Sequence, residues 1–292
     1  MTLAIAIVIT LLLWASSFTA IKAALTEFSP MHLATFRFGV ASLVLVAIAM
    51  FKRVRVPDAA DVPTIILAGL LGITGYHAAL NFGQMTVSAG AASFVVNTVP
   101  LFTTLLAAGF LGEKPPSKTV IGLLVSFSGV LVIAMSESKG FSLNRGAVLI
   151  LIAALFQSGY IVLQKPLLKK YSVLEVVCYT IWAGTAGLSL FGPGTVAEVS
   201  HASAKAAMYV IYLAIFPGVV AGLTWSAMVA RLPASQAVSF LYVVPALSIV
   251  VAWVWLRELP TLGSIVGGLV ILAGVAIVNH AKLKAHLVAA AK

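Results

Sequence analysis

Polar side chains are scarce in this 292-residue chain, and several recur at helical spacing inside long apolar runs. Thr74, His77, Asn81 and Gln84 fall at i, i+3, i+7 and i+10, which is one face of one helix. Ser93, Asn97 and Thr104 form a second stripe that passes through Pro100, and Gln157, Tyr160 and Gln164 form a third. Ser235, Ser239 and Tyr242 make a fourth, and Thr10, Trp14 and Ser17 a fifth; Thr224 and Trp225 add a less regular sixth. Amides both donate and accept hydrogen bonds, which suits a zwitterionic ligand whose carboxylate needs donors and whose ammonium needs acceptors. Aromatic rings such as Tyr76, Tyr160, Trp225 and Tyr242 offer walls for apolar side chains or for an ammonium over a π face. The candidate binding set is therefore Trp14, Tyr76, His77, Asn81, Asn97, Gln157, Tyr160, Gln164, Trp225, Ser239 and Tyr242. The bland alternative for each amide is a hydrogen bond between helices, and for each ring ordinary packing. His77 is either a neutral imidazole bonded within a bundle or a ligand and protonation switch; no second ligand suggests a metal.

Catalytic chemistry finds no support in the same residues. There is no phosphate loop, no zinc-binding His-Glu pattern and no nucleophile elbow. None of the eight carboxylates lies in the middle of an apolar run, so no catalytic residue, metal or cofactor is expected. Proton- or sodium-driven carriers commonly place an acid there. Its absence favours a facilitator, with His77 as the alternative carrier of coupling.

The elements that hold these residues follow from composition. Hydrophobic residues make up 61% of the chain and charged residues 9%, with a mean hydropathy of +1.11. A soluble domain carries about 25% charged residues. An all-α membrane protein is expected, because a helix crossing ~30 Å of hydrocarbon needs about 20 apolar residues. Ten helices are predicted near 3–22, 30–51, 63–84, 88–112, 117–135, 145–168, 172–191, 205–230, 233–256 and 261–281. The first lacks a basic leader and a cleavage site and is expected to be retained. With a cytoplasmic start, 12 of the 18 Lys and Arg fall on the cytoplasmic side and 5 outside, with Arg37 inside a span. Both termini are then cytoplasmic. The net charge of +10 reads as this orientation signal and not as a nucleic-acid surface. Cys178 is the single cysteine, so no intramolecular disulfide forms.

Self-similarity organises the chain further. Shifted by 145, Ser88–Ala134 lies on Pro233–Asn279 without a gap: Pro100 meets Pro245, Glu113 meets Glu258, Gly122 meets Gly267 and Gly129 meets Gly274. Upstream the shift is 143, with Lys22 on Lys165, Ser29 on Ser172 and Phe36 on Tyr179. Two units are expected, 1–140 and 141–292, each of five helices. An odd number forces the second copy to enter the membrane from the other side, giving an inverted 5+5 repeat. Such a repeat supplies two pseudo-symmetric conformations with a site at the interface of the halves. Pro100 and Pro245, mid-helix in both copies, read as kinks, either static or as gating hinges. Gly122/Ser126 and Gly263/Gly267 mark the fifth and tenth helices as close-packed scaffold. The cavity should then lie among helices 1, 3, 4, 6, 8 and 9.

The pattern Pro100…Leu111-Gly112-Glu113…Gly122…Gly129-Val130, repeated at Pro245…Leu256-Arg257-Glu258…Gly267…Gly274-Val275, resembles paired EamA domains of the drug/metabolite transporter superfamily. Arg257 departs from it, standing where the pattern has glycine. The resemblance covers the whole chain. It implies a bacterial inner-membrane exporter of amino acids, aromatic ones among them, and of related metabolites, working by alternating access. It also implies a small-molecule substrate, membrane lipid around the bundle and no nucleic-acid partner, and one chain with both halves would suffice as a monomer. Multidrug efflux is the rival within this class; an intramembrane enzyme or a channel is the rival outside it.

Overall fold

Five helices start on a side chain that satisfies an otherwise unpaired N–H of the first turn. Thr2, Ser88 and Ser203 accept from the N–H three residues on, and Asn144 from that of Gly146. Ser172 and Glu175 form a reciprocal capping box. A computed structural model describes residues 2–52, 54–110, 118–136, 144–232, 237–238 and 240–290, without the side chains of 119, 120, 123 and 278–290. Among these residues every regular element is helical.

In chain order the helices are α1 (Leu3–Ala24), α2 (Pro30–Lys52), α3 (Val62–Gly69), α4 (Tyr76–Gln84), α5 (Ala89–Val96) and α6 (Val99–Phe110). There follow α7 (Thr119–Ser136), α8 (Arg145–Lys170), α9 (Val173–Leu188), α10 (Gly192–His201), α11 (Ala204–Leu213) and α12 (Ala221–Arg231). The last are α13 (Val244–Leu256) and α14 (Leu262–Ala290). Several run on into one another. Seven continuous stretches are long and apolar enough to cross a membrane, and three shorter apolar helices lie in 124–136, 240–256 and 262–277. Leu43, Leu124, Val254 and Leu269 are each more than half exposed, as lipid-facing side chains are.

Two expectations about proline change. The range 172–191 ends just before Gly192-Pro193-Gly194, a helix-breaking run, yet the helical path continues to His201. Pro193 sits in the first turn of α10, where its missing N–H costs nothing. Pro100 and Pro245 likewise do not kink a continuous helix. Asn97 and Thr98 form a turn between α5 and α6, and a short 3₁₀ segment, Phe240–Val243, precedes α13. Each proline lies in the first turn of the restarted helix, so no interior hydrogen bond is lost.

Helices α7 and α14 touch backbone to backbone. A Cβ built on Gly129 would lie 2.5 Å from the carbonyl oxygen of Gly267, and one on Gly267 would lie 2.6 Å from that of Gly129. Farther along, a Cβ on Gly274 would lie 2.5 Å from the Gly122 carbonyl, and the Ser126 hydroxyl donates to the Ile271 carbonyl at 3.1 Å. Position 122 thus faces 274 while 129 faces 267, so the two helices run antiparallel. Since 122 corresponds to 267 and 129 to 274, both present the same patch to each other, as across a two-fold axis.

The matched lysines behave alike. Lys22 Nζ donates to the carbonyls of Gln84 and Val87 at 2.7 and 3.2 Å, at the end of α4. Lys165 Nζ donates to those of Val229 and Leu232 at 2.6 and 2.7 Å, at the end of α12. Each cation satisfies carbonyls that a helix end leaves open. Lys22→Met or Lys165→Met is expected to cost about 2 kcal/mol, from the loss of charge-assisted bonds. Thermal unfolding in detergent checks this, and an unshifted midpoint in both variants would refute it.

Ion pairs among the described residues sit at the ends of the bundle. At one end Arg55 pairs with Glu175 at 2.9 Å, and Lys170 with Asp58 and Asp61 at 2.7 and 2.6 Å. At the other, Glu198 accepts from the Ser29 N–H at 2.9 Å and contacts His32 Nδ1 at 2.8 Å. Glu27 accepts from the Ser203 N–H and hydroxyl, both at 2.7 Å, which hold its carboxyl below the usual range.

Candidate functional site

Between the ends lies a cavity of about 960 Å³ of atom-free space, counting what is open at its mouth. Two irregularities in the helices shape it. Leu70–Gly75, between α3 and α4, and Ala214–Val220, between α11 and α12, are π-helical at matching positions of the repeat. Such turns widen a helix and free backbone groups, and they concentrate at functional sites. The Pro217 carbonyl accepts from Trp14 Nε1 at 3.4 Å. The restarts at Pro100 and Pro245 supply the other irregular wall, through Val96 and Val99 on one side and Leu241 and Val244 on the other.

The lining residues fall into repeat-related pairs. At the shift of 143 they are Trp14 with Gln157, Ser17 with Tyr160, Arg37 with Thr180 and Phe38 with Ile181. At 145, the shift that also relates the Lys22 acceptors Gln84 and Val87 to the Lys165 acceptors Val229 and Leu232, they are Gly72 with Pro217, Ile73 with Gly218, His77 with Gly222, Leu80 with Trp225, Val96 with Leu241 and Val99 with Val244. Outside these pairs stand Phe18, Ile21, Tyr76, Asn97 and Val177. The cavity therefore straddles the relation between the halves.

Of the candidate residues, Trp14, Tyr76, His77, Asn97, Gln157, Tyr160 and Trp225 line this cavity. Asn81, Gln164 and Tyr242 do not. Asn81 Nδ2 donates to the Pro30 carbonyl at 2.9 Å, and Gln164 Nε2 to Tyr160 Oη at 2.6 Å and Ser226 Oγ at 2.8 Å. Gln84 spends its amide on the Phe18 carbonyl at 3.0 Å. Polar periodicity identifies an inward face but not a depth: seven residues beyond His77 is about 10 Å along the helix. Ser239 lies outside the described residues, as does Glu113.

Sequence reasoning omitted two helices from the wall. Arg37 and Phe38 on α2, and Val177, Thr180 and Ile181 on α9, face the cavity. The signal was present in Arg37, a charge about 10 Å inside an apolar helix. Arg37 is 3% exposed, and its Nη1 lies 3.4 Å from His77 Nδ1. Its guanidinium carbon stands 5.0 Å above the Phe38 ring. The His77 ring is packed against Phe38 at 4.6 Å and Tyr76 at 4.7 Å between centroids. On the same cavity wall Trp14 and Trp225 meet at 5.0 Å, tilted by 41°. Three buried polar atoms of lining residues lack a hydrogen-bond partner: Arg37 Nε, Asn97 Oδ1 and Trp225 Nε1. Buried donors and acceptors are rarely left unpaired without a reason. No described group of three His, Cys, Asp or Glu residues is placed to hold a metal ion.

An apolar helical bundle with a mixed cavity between related halves is the architecture of a multi-pass membrane transporter. The chain belongs to the EamA-like transporter family, which matches residues 1–135 and again 144–280. It is 39% identical to an uncharacterised Bacillus subtilis transporter, YdfC, over 90% of this chain and 86% of that one. It is 38% identical to a probable terminal-alkyne amino-acid exporter of Streptantibioticus cattleyicolor, over 95% and 93% of the two chains. A crystal structure of a protein 20% identical in sequence superposes with a TM-score of 0.64, covering 94% of this chain and 96% of the other, and carries the likeness of fold. The family and both named relatives are described as transporters and not enzymes.

Proposed function

We propose that this protein exports amino acids, aromatic ones included, and related small metabolites across the bacterial inner membrane by alternating access. Ten spans form two inverted five-helix units, 1–140 and 141–292, with both termini in the cytoplasm. The observation that carries this reading is the pairing of the cavity wall by the same shifts that relate the halves. A site on a pseudo-two-fold axis is reached from either side by the same motion, performed by one half or by the other. The antiparallel contact of α7 with α14 supports inversion, because equivalent helices related in that way point in opposite directions. The name of the Streptantibioticus relative supports amino acids as cargo. Among the described residues the wall offers no carboxylate for ion coupling, which favours facilitated export down a gradient.

Purified protein in liposomes, tested with labelled amino acids with and without a pH gradient, is expected to show saturable flux and counterflow. Flux that rises linearly with concentration would replace the carrier by a pore, and flux confined to amphiphilic drugs would replace export by drug efflux. Tags at the two termini should be reached from the same face; opposite faces would defeat the inverted arrangement. In this reading the restarts at Pro100 and Pro245 and the π-helical turns are the hinges. Pro100→Ala and Pro245→Ala would each release the φ angle that proline fixes at a restart and add an N–H there, and each is expected to slow turnover severalfold while leaving solute affinity near the wild-type value. Unaltered turnover in both removes the hinge.

A further inference from the structure

The architectural features of this chain come in pairs: two capping lysines, two glycine contacts, two π-helical turns, two proline restarts. Arg37 does not. Its counterpart in the second half is Thr180, so among the described lining residues the cavity has a cation on one side only. A feature that serves the scaffold is expected twice; one that serves an asymmetric ligand is expected once.

A buried charge among apolar helices is costly and needs a partner. No described carboxylate reaches Arg37; the ion pairs lie at the ends of the bundle. Of the five N–H donors of a guanidinium, one meets the His77 ring nitrogen at the long distance of 3.4 Å, and the Nε donor meets nothing. Phe38 covers one face of the group. What is left is a fork of donors at a cavity wall, the shape that matches a carboxylate held by two parallel bonds.

We infer that Arg37 binds the carboxylate of the transported solute, which deepens and rests on the export reading above. The rest of the wall completes the class. The unpartnered Asn97 Oδ1 is an acceptor suited to an ammonium. The tilted pair of Trp14 and Trp225 gives an apolar π surface for the side chain. The cargo is an α-amino acid with an apolar or aromatic side chain, oriented by its carboxylate toward α2.

Because Trp14 and Trp225 line the cavity, quenching of intrinsic fluorescence in the purified full chain reads binding without transport. The probes are L-phenylalanine, its methyl ester, which lacks the carboxylate, and 3-phenylpropionate, which lacks the ammonium. Wild-type protein should bind the two carboxylates about 10- to 150-fold more tightly than the ester, the range of a hydrogen bond to a charged group. Arg37→Gln should bring all three to the affinity of the ester, and Arg37→Lys should restore part of the preference. Equal binding of acid and ester by the wild type overturns the inference, as does the absence of quenching by all three. A uniform loss for every probe in Arg37→Gln also overturns it, making Arg37 part of the scaffold. Displacement of phenylalanine by inorganic phosphate at equal concentration replaces the carboxylate site by a general anion site. If Arg37→Gln fails to fold, the wild-type comparison and Arg37→Lys still decide. Carboxylate preference without flux in liposomes would defeat export and leave Arg37 as anchor; flux without preference would do the reverse.

Discussion

The substitution Gly222→Leu is expected to abolish transport while leaving the protein folded. Gly222 lines the cavity on α12, at the position matched by His77 in the first half. A Cβ built there meets only a methyl group of Val177, at 3.9 Å, which is ordinary contact. The larger side chain is therefore accommodated by occupying space that the solute needs. The helix itself gains, since glycine is the weaker helix former by up to ~1 kcal/mol. Flux in liposomes should fall to that of protein-free vesicles, with an unfolding midpoint equal to or above that of the wild type. Gly109→Leu is the control: a Cβ there meets nothing within 4 Å, on an exposed surface. Undiminished flux in Gly222→Leu would show that solute passes elsewhere.

Gly129→Leu should have the opposite profile, with stability lost before function can be asked about. Besides the Ile271 side chain, a Cβ there would meet the Gly267 carbonyl oxygen at 2.5 Å and the Ile271 nitrogen at 2.8 Å, both backbone. Neither can rotate away, so α7 and α14 must separate as bodies. Separation loosens the Ser126 bond to the Ile271 carbonyl and the matching approach of Gly122 to Gly274. Overpacking of a well-packed core costs about 1–3 kcal/mol, and a backbone-to-backbone crossing places this substitution at or above the upper end. Size-exclusion chromatography and thermal unfolding read the loss. Gly267→Leu should match it, because the contact is reciprocal. The double substitution should cost less than the sum, since one leucine already forces the helices apart. A wild-type midpoint in either single variant would contradict the backbone contact.

Much of the scaffold was legible because its causes are local or repeated. Run lengths of apolar residues locate helices, and each predicted range overlaps a described helical stretch. Ser88, Ser172 and Ser203 announce helix starts by their chemistry alone. The shift of 145 alone makes Gly122 equivalent to Gly267 and Gly129 to Gly274, the glycines at which α7 and α14 meet. Proline was the weaker guide, since its effect depends on whether the helix has already stopped. A sequence does not say whether Pro100 interrupts a turn or opens one.

The cavity was legible in part. Seven candidate residues line it because polar stripes mark inward faces. Asn81 and Gln164 lie on such faces and bind neighbouring helices instead.

By itself, then, the order of residues determined a helical membrane chain of two related halves, through patterns that act over one helix or recur at one shift. Only the tertiary structure decided that α2 and α9 complete the wall, that Arg37 stands beside His77, and that α7 and α14 meet at glycine. Those facts depend on how helices far apart in sequence cross and at what depth. Crossings are set by the fit of whole surfaces, which no local spacing encodes.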